Sequence, residues 1–523
     1  MANKSLFSTF RGRSVPATDT INNAGGRAYA LGTEAALAQY GATGCFNGTY
    51  YTDAAEQLDT LSKLAAGVSD RFLAQTAVFC REQGYMKDVP SFLCAVLASR
   101  DAGLLTEIFP RVIDNGKMLR NFVQIVRSGV TGRKSLGSAP KRLVRQWLEG
   151  ASDRQLMAAA VGNDPSLADV VKMVHPKPVS KAQEAFYGWL LGRDYDWKAL
   201  PANVRAYEHW KRERAGRVPE VPFQFLTALD LGREEWTEIA CTASWQMTRM
   251  NLNTFARHGV FDSRKMTTLI ADRLADENQV KRSRVFPYQL LAAYLNAGSD
   301  VPRKVKNALQ DAMEIATKNV PEVPGRVFIC PDVSGSMHSS VTGYRRGSTS
   351  KVRCVDVAAL VAATLLRVNR EAVVLPFMHE VLDVKLNPYD SVMTNAKKLA
   401  SLPMGGTDCS TPLKWMNKRK CEADFVFFVS DNESWIDTRR RWNPGTAVMT
   451  EWETLKRRSP KAVMACLDIQ PNSHTQAPER PDVLNIGGFS DQVFKIVSRF
   501  AKRELHGDHL VSEIRKVELT STT

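Results

Sequence analysis

Through the first 320 residues, apolar positions recur at spacings of three and four. Ala54, Leu58, Leu61 and Ala65 form one such set, and Phe72, Leu73, Thr76, Phe79 and Cys80 form the next. Phe92, Leu93, Val96 and Leu97 follow, then Met118, Leu119, Phe122, Val123 and Val126. Asp53 with Glu56 resembles a capping pair, and Gly67 and Gly84 suit helix stops. The spacing predicts short helices with polar breaks, each needing its neighbours to bury its apolar stripe. A degenerate HEAT-like stack of helix pairs meets that need, although no clean sequence period is visible.

The pattern changes near Pro321-Glu-Val-Pro324. Short apolar runs at Val327–Cys330, Ala372–Pro376, Phe425–Ser430 and Ala462–Leu467 predict strands, with a helix over 352–367. Continuous apolar strands alternating with helices imply a parallel sheet covered on both faces, whose ligand lies beyond the strands' carboxyl ends. The expected fold is therefore α plus α/β: a helical-repeat half over 1–320, a doubly wound domain over 325–510 and a tail over 511–523.

At 523 residues the chain has room for two or three domains. No apolar run reaches the length of a membrane span, and the first residues lack the apolar stretch of a secretory signal. Nine scattered cysteines without CxxC spacing predict reduced, mostly buried thiols in a cytoplasmic protein.

Oxygen donors gather at the predicted strand ends. The run Asp332-Val-Ser334-Gly-Ser336 follows the first strand, Thr407 lies on a glycine turn, and Asp431 follows the strand Phe425–Ser430. Such a donor set suits Mg²⁺ or another divalent cation and disfavours soft metals. It resembles the metal-ion-dependent adhesion site of von Willebrand factor A domains, which implies an ion held by Asp332, Ser334, Ser336, Thr407 and Asp431, with one position left for a partner's carboxylate. No Ser-His-Asp order in glycine-elbow context is present, so no enzymatic role is expected. A hydrolase using Asp332 and Asp431 is the weaker reading, because both are better placed as ligands.

With 70 Lys and Arg against 55 Asp and Glu, the net charge is +15. Between 111 and 145 stand nine basic residues and one acid, Asp114. The candidates for phosphate contact there are Arg120, Arg127, Arg133, Lys134, Lys141 and Arg142, four of them on or beside a Gly/Ser-rich loop. Lys172, His175 and Lys177 form a second group, with Lys181 beside them. Arg249, near Trp245, marks a further candidate lining segment, although Trp245 also suits a core. Short basic clusters such as 211–214 read as solvated helix ends.

Asn22-Asn23-Ala24-Gly25-Gly26, the segments 166–178 and 284–298, and the motifs GGTDC (405–409), SDNESW (430–435) and LNIGGFSDQVF (484–494) together resemble the Ro family, a TROVE module fused to a von Willebrand factor A domain. The resemblance implies a helical-repeat ring closed by a Rossmann-like A domain and acting as a monomer. It implies binding of small Y-like noncoding RNA on the outer surface and of 3′ single-stranded ends of misfolded or structured RNA in the central cavity, in support of RNA quality control. It also implies an exoribonuclease tethered through RNA. His175 aligns with a histidine that relatives use at the Y RNA surface; a helix-capping role is the alternative. Several relatives carry a lysine where this chain has Ala168. The competing functional reading is a protein-interaction scaffold whose A domain captures an acidic partner, with no RNA role.

Overall fold

A computed structural model describes residues 15–43, 54–283, 285, 287–341, 351–436, 444–488, 492–505 and 509–520. Asp53 of the expected capping pair, Arg284 and Phe286 of the segment 284–298, and residues 489–491 of LNIGGFSDQVF lie outside them. The chain divides into two compact units. One comprises residues up to Leu61, Arg284–Asn296 and Gln310–Glu513; the other comprises Ser62–Ser283, Ala297–Leu309 and the segment from Ile514 onward.

The first unit carries two sheets. A small antiparallel one joins β1 (Thr20–Ile21), β2 (Arg27–Ala30) and β7 (His474–Thr475) in the order β1-β2-β7. The large one holds β3 (Val327–Pro331), β4 (Val373–Val374), β5 (Phe425–Ser430), β6 (Val463–Asp468) and β8 (Val483–Gly487) in the order β4-β3-β5-β6-β8, all parallel. Strands β3, β5, β6 and β8 are buried along their whole length. That explains their uninterrupted apolar runs: both faces are covered. The helix Cys354–Val368 is buried over Cys354–Leu366, and Trp452 on Ala447–Arg458 anchors a core with Phe328, Phe377 and Phe428. Strand order reverses between β3 and β5, so the loops after them flank the crevice where such sheets hold ligands. Strand β8 was not expected from the sequence; it occupies the start of LNIGGFSDQVF.

The expected division at residue 320 is not how the contacts fall. The hairpin β1–β2 is hydrogen-bonded to β7, with Ala30 opposite His474, and so belongs to the sheet unit. Tyr294, in the helix Pro287–Asn296, lies under the Lys397 ammonium at 4.6 Å. At the other end, residues 515–519 are not a loose tail. Gln75 Nε2 donates to the Arg515 carbonyl at 2.8 Å and to that of Val517 at 3.0 Å, and Leu519 is buried.

In the second unit several helices pack on a neighbour or on the next helix but one. Asp70–Glu82 meets Asp88–Arg100 and Ala102–Val112, Asp88–Arg100 meets Gly116–Arg127, and Ala102–Val112 meets Ser138–Gly150. This is the contact pattern of stacked helix pairs. Arginines fasten the helix ends. A helix leaves its last carbonyls without intrahelical donors, and a guanidinium with five N–H groups satisfies them while complementing the negative end of the dipole. Arg100 donates to the carbonyls of Ala65 (2.6 Å) and Val68 (2.8 Å). Arg133 donates to Ala98, and Arg145 to Val174. Arg273 donates to Ala240 (2.7 Å) and Cys241 (2.6 Å).

Arg145→Met is expected to destabilise the protein by about 1–3 kcal/mol, because the helix Leu167–Val174 loses a donor at its last carbonyl. Lys134→Met, at an exposed loop position, is expected to change stability by less than about 0.5 kcal/mol. Urea unfolding of the two variants checks the contrast.

Candidate metal centre and nucleic-acid interface

Three loops meet at the carboxyl edge of the large sheet. The first follows β3. Asp332 is fully buried; its Oδ1 accepts from Ser334 N at 2.8 Å and its Oδ2 from the Ser430 hydroxyl at 2.6 Å. The Ser334 and Ser336 hydroxyls lie 3.4 Å apart. The second loop carries Thr407, which is buried; Gly335 N donates to the Gly405 carbonyl at 2.9 Å, joining it to the first. The third follows β5. Asp431 is buried, and its carboxyl is hydrogen-bonded to the side chain of Ser336 and by Glu433 N. Trp435 N reaches the Thr407 carbonyl at 3.4 Å, and its indole covers Gly406, where a Cβ would lie 2.8 Å from Nε1. The segments bearing all five predicted donors are thus brought together.

The electrostatics are unfavourable as they stand. Burial, then the Asp332 charge, pushes the Asp431 carboxyl up to about 8. Burial also raises Asp332, against the hydrogen bonds of Ser334 and Ser430 that stabilise its charge. Asp468, at the end of β6, is driven well above the carboxylate range by burial and then by Asp431 and Glu433. Among the described residues, neither Asp431 Oδ2 nor Asp468 Oδ2 has a hydrogen-bond partner, although both are buried. Orphaned buried oxygens beside serine hydroxyls fit a hard divalent cation. Among the described residues, no group of three or more His, Cys, Asp or Glu has metal-binding geometry, so hydroxyls would have to complete the donor set.

Behind Asp431 lies a network that sequence reasoning missed. Glu433 is buried, with His474 Nε2 at 2.8 Å; its Oε1 also accepts from Asn472 Nδ2 (3.1 Å) and Asn23 Nδ2 (2.9 Å). Asn22 Nδ2 donates to the Ser434 carbonyl at 2.8 Å, and a Cβ on Gly26 would collide with that same carbonyl. The Asn22–Gly26 turn therefore clamps the loop that presents Asp431. The only signal was the run of Asn and Gly, which the sequence reading placed with the helical half.

Thiols take no part. The eight described cysteines are free, six of them buried, and burial pushes Cys354 up to about 12. His338, without an evident partner in the sequence, has Nδ1 2.9 Å from Arg353 Nη1.

The basic candidates separate into two kinds. Arg120 is buried; its guanidinium donates to the carbonyls of Pro165 (3.1 Å) and Val161, and burial lowers its pKa. Arg133 is half-buried and tied to Ala98. In both, guanidinium N–H groups serve backbone carbonyls. Arg249 is half-buried, and desolvation pulls it down to about 10. Trp245 is buried and donates to the Leu274 carbonyl at 3.1 Å, the core role left open above.

Arg127, Lys134, Arg142, Lys172, His175 and Lys177 are exposed, and Lys141 is half-buried. Arg127 and Lys172 both act on Asp169, whose pKa is lowered first by Ser166, so the two cations share one neighbourhood. His175 caps its helix in the left-handed conformation, φ 50°, with its N–H on the Val171 carbonyl at 2.9 Å and its ring exposed. The capping and surface roles of His175 are therefore compatible. Arg120 grips the loop entering the helix Leu167–Val174 and Arg145 its last carbonyl, so two arginines, one buried and one half-buried, hold in place the helix that displays Lys172 and His175.

Residues 326–501 match the family model described as Ro60 vWA domain, and residues 163–320 match TROVE domain. The chain is 25% identical over 520 residues to the RNA-binding protein RO60 of Deinococcus radiodurans, covering 92% of this chain and 95% of that one. It is 26% identical over 327 residues to the RNA-binding protein RO60 of Caenorhabditis elegans, covering 57% of this chain and 47% of that one. The crystal structure of the Deinococcus radiodurans RO (RSR) protein superposes with a TM-score of 0.62 at 23% identity, covering 91% of this chain and all of that one.

In metal-free buffer the protein is expected to lose stability as pH rises from about 4 toward about 8. A carboxyl raised in the folded state stabilises fully below its unfolded pKa, and that contribution is lost as pH rises through the folded value, about 8 for Asp431. Asp431→Asn should flatten this slope; thermal melts in chelator across the range check it. Gly26→Ala should lower the melting temperature by several degrees, whereas Gly32→Ala, with open space around the added Cβ, should not.

Proposed function

The chain belongs to the Ro family, and on that premise we propose that it is a non-catalytic RNA-binding protein. The observation that carries the reading is the exposed group Lys172, His175 and Lys177, on and just after a helix fastened at both ends, within the segment matching the TROVE domain. Two relatives bear the name RNA-binding protein, which supports the same partner class. Cations on a rigid helix contact phosphates without reading base edges, so affinity should be salt-dependent and nearly independent of sequence.

In finer terms, the protein binds a Y-like noncoding RNA on its outer surface and takes 3′ single-stranded ends of misfolded or structured RNA into a central cavity, in support of RNA quality control. An exoribonuclease joined through bound RNA would complete that role. These points rest on the family resemblance. Asp332, Ser334, Ser336, Thr407 and Asp431 would hold a Mg²⁺ or similar divalent ion. When bound, that ion supplies charge neutralisation and a coordination position for an acidic partner group. Asp332 and Asp431 already accept hydrogen bonds from the surrounding serines and backbone N–H groups, which orients their oxygens as ligands.

Lys172→Gln/Lys177→Gln is expected to weaken binding of a structured RNA with a free 3′ tail uniformly across sequences, and to reduce the slope of log affinity against log salt by about two. Fluorescence anisotropy at several salt concentrations measures both. Affinity that is flat with salt in the unaltered protein would sink the reading, as would multiple turnover of labelled RNA in Mg²⁺.

A further inference from the structure

The helix Ala202–Glu213 lies within the TROVE match, and its last turn and exit carry Lys211, Arg212, Arg214 and Arg217, all exposed. The sequence alone reads 211–214 as a solvated helix end. In the structure Lys211, Arg212 and Arg214 lie over aromatic rings. The Arg212 guanidinium lies over the Trp197 indole at 5.4 Å, Arg214 over Trp210 at 4.9 Å, and the Lys211 ammonium over Tyr207 at 5.8 Å. Trp210 and Tyr207 are buried beneath, and Trp197 is half-buried. Arg214 also occupies the left-handed region, φ 52°, at the helix C-cap, where glycine or asparagine is the usual residue. Stacking on Trp210 holds it there.

The local charge balance favours an anion. Residues 193–217 contain seven Lys and Arg against Asp194, Asp196, Glu208 and Glu213. Glu208 accepts from Trp189 Nε1 at 3.1 Å and faces Lys211 at 3.6 Å, and Glu213 faces His209 at 3.3 Å. Among the described residues, Arg212, Arg214 and Arg217 form no ion pair with any carboxylate. A guanidinium held over a ring by cation–π attraction keeps N–H donors available to an anion and has less rotamer freedom left to lose on binding. That placement suits phosphate oxygens, and an arginine guanidinium can itself contribute to base stacking on a single strand.

We infer that Lys211, Arg212, Arg214 and Arg217, with Arg212 and Arg214 held over Trp197 and Trp210, form a second docking surface for single-stranded RNA, separate from the residues at 172–177. The inference deepens the RNA-binding reading and rests on it. It is tested with full-length protein and a labelled single-stranded oligouridylate. Arg212→Gln/Arg214→Gln/Arg217→Gln should lower affinity at least about tenfold and reduce the salt slope by about two, from about 0.7 per neutralised phosphate on a single strand. Arg212→Lys/Arg214→Lys should keep the slope but lose part of the affinity, since lysine carries the charge without the planar stack. Photocrosslinking of thiouridine-bearing RNA to the unaltered protein should label peptides within 193–217, which decides the matter even if the triple variant fails to fold. An unchanged slope and affinity in a folded triple variant, or crosslinks that fall elsewhere and spare 193–217, overturns the inference while leaving RNA binding intact. Absence of any RNA binding by the unaltered protein would instead remove the reading beneath it.

Discussion

Negative charge buried without compensation is the constraint on which the sheet unit depends. Asp332, Asp431, Glu433 and Asp468 all lie inside the carboxyl edge of one parallel sheet, each at or just after the end of β3, β5 or β6. Two of them leave an oxygen without a partner among the described residues. Taking an ionised carboxylate out of water costs several kcal/mol even after relaxation. Serine hydroxyls, backbone N–H groups and His474 offset part of that cost. The remainder must be met by a proton or by a cation, and a cation is the response that a set of hydroxyl and carboxylate oxygens is suited to bind.

The same constraint accounts for the N-terminal hairpin. The loop after β5 turns through Asn432 in a left-handed conformation, φ 59°, and carries its acidic side chains inward. Such a loop needs outside support. Asn22, Asn23 and the N–H of Ala24 provide it, across more than 400 residues of sequence. The hairpin thus completes the sheet unit, and the candidate ion site depends on residues from both ends of the chain.

Legibility from sequence followed the range of the interactions. The strands at 327, 425 and 463 were evident because their apolar runs are local, and the donor set was evident because each donor sits at a strand end. Glu433 with His474, Asn472 and Asn23 was not, because no spacing links four residues joined only by the fold. Strand β4, two residues long and partly exposed at Val373, is shorter than the apolar run that announced it. Charge was the least legible property. Sequence marks Arg120 and Arg133 as candidates for phosphate contact from their cluster alone, and it does not show that their guanidiniums bind carbonyls near helix ends. At 211–214 the cations are exposed, as a solvated helix end implies, and three of them also lie over aromatic rings, which no spacing announces.

The most direct test is calorimetric titration of Mn²⁺ or Mg²⁺ into the full chain near pH 7 in buffers of different ionisation enthalpy. The account predicts one saturable site whose filling releases protons, because Asp431 is held partly protonated at that pH, and predicts that Asp431→Asn removes both the binding and the release. Absence of saturable uptake, or uptake that Asp431→Asn leaves unchanged, would contradict it.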